Sequence, residues 1–138
     1  SNWSGYLSKF ESEFAKYIGV KYAIATSSCT GALQIALMAL DIGPGDEVIV
    51  PDQTWVATAK AVTYVGATPI FADIEFDTWS LSGVSVESLI TSRTKAIIPV
   101  HMYGHPTRMD EIVDLATKYN LKIVEDYDNQ LEKHPPAS

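Results

Sequence analysis

Tyr22-Ala23-Ile24-Ala25-Thr26-Ser27-Ser28-Cys29-Thr30-Gly31-Ala32-Leu33 reads as an apolar strand over residues 22–26, an elbow of small polar residues, and the opening of an apolar helix over residues 31–40. A strand that ends in Ser, Ser and Thr just before a helix aims several backbone N–H groups and hydroxyls at one point, which is how proteins hold a phosphate. The same residue types also cap helices with no ligand present, so the elbow needs support from the rest of the chain.

That support comes from periodicity. Leu7, Phe10, Phe14, Tyr17 and Ile18 recur at helical spacing and stop at Gly19, predicting an opening helix. Further apolar runs at residues 47–51, 68–73, 95–100 and 122–126 predict four more strands after the one at 22–26. Helical patterns fill residues 31–40, 54–65 and 108–119, with a short helix near 86–90 inside an otherwise loop-like interval. Buried strands alternating with amphipathic helices predict an α/β fold: a mostly parallel sheet with helices on both faces, built from right-handed crossovers. At 138 residues the chain is long enough for one core.

Charge and composition narrow the partners. A net charge of -7 argues against nucleic acid and against an anionic membrane surface. Cys29 is the sole cysteine, so no intrachain disulfide, thiolate cluster or metal site is expected. No membrane span and no signal peptide are read, and a cytoplasmic location is expected.

In an open parallel sheet, ligands sit beyond the carboxyl ends of the strands. Those ends carry the Ser-Ser-Cys-Thr elbow, the run from Asp52 to Trp55, Asp73, the run from His101 to Tyr103, and Glu125-Asp126, while the strands behind them are plain Ile, Val and Ala. A phosphate site at the elbow, an aromatic face from Trp55 and a carboxylate from Asp126 describe a pocket for a flat, phosphorylated, basic heterocycle, and pyridoxal phosphate fits. Asp126 would keep the pyridine nitrogen protonated, Trp55 would stack on the ring, and His101 could line the same pocket. Each residue also has a purely structural use as cap, packing group or loop residue, and their meeting at one edge is what favours a site.

The chain resembles the DegT-type family of nucleotide-sugar aminotransferases, fold type I pyridoxal phosphate enzymes. The resemblance is carried in unbroken order by FESEFAKYIGVKYAIATSSCTGALQIALMALDIGPGDEVIVP, TWVATAKAVTYVGATPIFADIEFDTWSL, RTKAIIPVHMYGHPTRMDEI and LKIVED. Within these, GPGDEVIVP, YVGATPIFADI and AIIPVHMYG are the specific combination. It implies that the phosphate contact falls on Cys29 and Thr30, the stacking aromatic is Trp55, and the pyridine-nitrogen carboxylate is Asp126. Asn129 is implied as a further cofactor contact, with Gln130 as a one-residue alternative. The family usually has Gly at the position of Cys29, and a side chain there is expected to crowd the phosphate.

The resemblance also implies a Schiff-base lysine beyond the aspartate. Twelve residues follow Asp126, with Lys133 in a proline-terminated tail, so no catalytic lysine is expected in this chain. Residues 1–138 are therefore expected to form a partial pyridoxal phosphate-binding large domain, with an atypical tail over about 127–138 and without the later strands and the small domain. The implied activity moves an amino group from an amino acid, with glutamate as the expected donor, to a keto group on a nucleotide-linked sugar, in a homo-oligomer. Two other readings stay open: a catalytically inactive binding or assembly module of the same fold, and a generic nucleotide-binding domain. The last is disfavoured because Ser-Ser-Cys-Thr-Gly stands where a dinucleotide binder has its glycine fingerprint.

Overall fold

A computed structural model of the protein describes residues 3–101 and 108–127. The chain opens with α1 (Trp3–Ile18) and α2 (Cys29–Ala39), then β1 (Glu47–Pro51), α3 (Val56–Tyr64), β2 (Thr68–Ala72), α4 (Gly83–Leu89), β3 (Thr94–Ile97), β4 (Val100–His101), α5 (Met109–Tyr119), β5 (Lys122–Ile123) and β6 (Asp126–Tyr127). Strands β2, β1, β3 and β5 pair in that order in a parallel sheet.

Strand β1 is buried on both faces because it alternates its side chains between two layers. Val48 and Val50 pack with Leu33 and Leu37 of α2 and with Ala61 and Val62 of α3. Ile49, on the opposite side, packs with Ile97, Val86 of α4 and Ile112 of α5. Helices therefore cover both faces, as the alternation of elements predicts.

The predicted strands at 95–100 and 122–126 are each divided in two. The pairs β3·β5 and β4·β6 are both parallel and follow one another along the same two chain segments. Pro99 lies at the break, where it has no N–H for the ladder, and only its carbonyl continues the pairing by accepting from Asp126 N at 3.0 Å. The connection holds Asp126 at the carboxyl end of the sheet.

Residues 22–26 are a correction: no described strand pairs with them, and Tyr22 and Ile24 are 74% and 73% exposed. An apolar run becomes a strand only where a sheet edge offers its backbone partners, and here Ala25 N donates instead to a side chain, Glu11 Oε1, at 2.9 Å. The helix that follows begins earlier than its apolar pattern suggests. Cys29 and Thr30 belong to the first turn of α2 rather than to the elbow before it.

Candidate cofactor site at the carboxyl edge of the sheet

Ser28 is the N-cap of α2. Its backbone is extended (φ -161°, ψ 157°) and its Oγ accepts from Gly31 N at 3.1 Å. That capping bond uses one of the first-turn donors and leaves the turn carrying Cys29 and Thr30 at the positive end of the helix dipole. Cys29 is exposed and Thr30 half-buried.

From this turn the site runs inward to Asp126. Cys29 Sγ donates to Asp126 Oδ1 at 3.4 Å, bridging 97 residues of sequence. Thr58 Oγ1 donates to the other oxygen, Oδ2, at 2.8 Å, and lies 3.3 Å from Thr54 Oγ1. Asp126 is only 7% exposed. A carboxylate buried to that degree requires donors on its oxygens, and the thiol and the hydroxyl supply one to each. Two oxygens offer about four acceptor positions, so the carboxylate retains capacity for a further N–H.

Trp55 is the residue immediately before α3, between the two threonines, and its side chain is 63% exposed. An indole held at the first turn of a helix and facing solvent presents a ring surface. The structure thus brings Cys29, Thr30, Trp55 and Asp126 to one edge through the capped turn of α2 and the first turn of α3. Asn129 and Gln130 lie outside the described residues, as does Lys133.

His101 is placed differently from its expected position in the pocket. Its partner in the β4·β6 pair is Tyr127, and Val100 is the partner of Asp126, so His101 and Asp126 project to opposite faces. On its own face His101 is buried, its Nε2 lies 3.1 Å from Glu125 Oε2, and its ring stacks on Tyr127 with centroids 4.4 Å apart. Tyr127 donates its hydroxyl to the same Glu125 oxygen at 2.6 Å. Burial, then the hydrogen bond and negative charge of Glu125, push the Tyr127 phenol up to about 12.

Thr58 is the residue that reading the sequence missed. It stands in an Ala- and Val-rich helix, and its one signal is a hydroxyl four residues after Thr54 on the face that also carries Ala61 and Val62. At the opposite edge of the sheet, the buried Glu47 is satisfied by Arg93 at 2.6 Å and Thr91 at 2.6 Å, a closed ion pair.

The model of the DegT/DnrJ/EryC1/StrS aminotransferase family matches residues 2–129. The chain is 51% identical over 121 residues to the GDP-perosamine synthase of Caulobacter vibrioides, covering 88% of this chain and 33% of that protein. It is 52% identical over 116 residues to the UDP-N-acetyl-3-dehydro-alpha-D-glucosamine 3-aminotransferase of Acidithiobacillus ferrooxidans, covering 84% of this chain and 31% of that protein. Among solved structures, NtdA from Bacillus subtilis with bound cofactor PMP superposes with a TM-score of 0.86 at 44% identity, covering 88% of this chain and 28% of that one. The chain spans about a third of the length of the relatives it matches.

Proposed function

We propose a function that starts from one premise: the chain belongs to the DegT/DnrJ/EryC1/StrS aminotransferase family. Its α/β fold is that of the fold type I aminotransferases, and residues 1–138 form part of their pyridoxal phosphate-binding large domain. The activity of the parent enzyme is transfer of an amino group from an amino acid, with glutamate as donor, to the keto group of a nucleotide-linked sugar. Two relatives, a GDP-perosamine synthase and a UDP-N-acetyl-3-dehydro-alpha-D-glucosamine 3-aminotransferase, support that substrate class.

The observation that carries the reading is the buried Asp126, bonded on both oxygens and set beside the capped turn of α2 and the exposed Trp55. These residues fit the cofactor because its three recognisable parts each meet a suitable group. The phosphate would take the first-turn donors of α2 at Cys29 and Thr30. The ring face would lie on Trp55. The ring nitrogen would donate its N–H to Asp126, whose negative charge holds the proton there. When bound, a cofactor with a protonated ring nitrogen supplies an electron sink for carbanion chemistry. The Cys29 thiol also donates to Asp126 Oδ1, so the side chain that stands where the family usually has Gly is turned toward the carboxylate. Asn129 is assigned as a further contact from its position after Asp126.

Titrating the purified chain with pyridoxal phosphate tests the reading. Saturable binding weakened about tenfold or more by Asp126→Ala is expected, the size of losing a hydrogen bond to a charged group. Binding indifferent to Asp126→Ala would remove the proposed pocket and leave an assembly module as the better description.

A further inference from the structure

We propose that Thr58 is a positioning residue for Asp126, the inner end of a one-way hydroxyl relay that holds the carboxylate toward the ring nitrogen of the cofactor; the proposal rests on the function proposed above. The relay runs from Thr54 through Thr58 to Asp126, with oxygen separations of 3.3 Å and 2.8 Å.

Its direction follows from proton counting. A hydroxyl has one proton, and a carboxylate only accepts, so the Thr58 proton goes to Oδ2. The lone pairs of Thr58 are then what Thr54 can reach, and the Thr54 proton points the same way. Successive donors aligned toward one negative charge polarise each other, and a hydrogen bond to an ionised acceptor is stronger than a neutral one.

The placement of Thr58 supports a specific task. It is 1% exposed, on a helical face shared with Ala61 and Val62. Valine has the same shape, suits that apolar layer, and would bury no hydroxyl. The hydroxyl is useful only for what it bonds. Trp55 also lies within the turn that Thr54 and Thr58 span, and its carbonyl accepts from Thr58 N at 3.1 Å. One helical turn therefore sets both the ring-facing indole and the orientation of the carboxylate.

The test compares two probes that cannot react with lysines: pyridoxamine 5′-phosphate and its 1-deaza analogue, in which carbon replaces the ring nitrogen. Wild type is expected to bind the first about tenfold more tightly, because only it offers Asp126 an N–H. Thr58→Val is expected to abolish that preference while leaving affinity for the deaza analogue unchanged, and Thr58→Ser is expected to restore it. A purely structural Thr58 would weaken both probes alike, and that result, or a retained preference in Thr58→Val, overturns the proposal. Should Thr58→Val fail to fold, Thr54→Val, which removes only the outer donor, is expected to reduce the preference about threefold, and no reduction overturns the relay. A wild type with no preference between the probes overturns the assignment of Asp126 itself, and the relay with it.

Discussion

Asp126 and Tyr127 are neighbours in β6 that serve opposite faces, and the difference is measurable. Tyr127 titrates near 12 because it is partly buried and bonded to the negatively charged Glu125. Its folded value exceeds the ordinary tyrosine value of about 10. The associated stabilisation is therefore fully present below pH ~10 and is lost as pH rises through about 12. Phenolate absorbance of wild type minus Tyr127→Phe should show a midpoint near 12, and Glu125→Gln should lower it while leaving it above the ordinary value, since burial is the first cause. An unchanged midpoint in Glu125→Gln would mean that Glu125 does not act on the phenol. Of the two residues, Asp126 was legible in the sequence as a carboxylate closing an apolar run. Its partner Thr58 was not, because a threonine in a helix carries no sign of which distant atom its hydroxyl meets.

At the scale of elements, the clearest lesson is the elbow. Residues 22–26 have the composition of a strand, yet strand formation depends on a partner edge that a local pattern does not contain. Helix α2, in contrast, is capped by Ser28 from within the elbow, so its first turn takes in Cys29 and Thr30, which the apolar pattern left outside the helix. Ser28→Ala should cost about 1 kcal/mol in urea unfolding, and Ser28→Gly only a few tenths. A loss below the error of the measurement in Ser28→Ala would show that tertiary packing of Leu33 and Leu37, rather than the cap, sets where α2 begins. The divided strands make the complementary point: the apolar run at 95–100 reads as one strand, yet Pro99 has no N–H for the ladder, and its carbonyl accepts from Asp126 N where the pairing resumes.

Across the whole molecule, the two core layers draw on β1, β2, β3 and β5 and on α2 to α5, whereas α1 stands apart from both. Tyr6, Leu7, Phe10 and Tyr17 of α1 are exposed, as are Tyr22 and Ile24 just after it. Apolar area of that kind in water favours association. Sedimentation of the chain should show concentration-dependent self-association that the double substitution Phe10→Ser, Tyr17→Ser reduces, and equal association in both would place the contact elsewhere. Among the described residues no helix is long and apolar enough to cross a membrane.

The sequence by itself determined the alternation of helices with the strands from residue 47 onward, the burial of β1 on both faces and the family, because each follows from residues close together or from an ordered series of motifs. Tertiary structure alone decided which carboxylate oxygen each donor meets, that His101 turns away from Asp126, and that residues 22–26 have no strand partner among the described residues. Those depend on register and on contacts across as many as 97 residues, such as Cys29 with Asp126. A one-residue step in a strand reverses the face a side chain serves, and composition cannot record it.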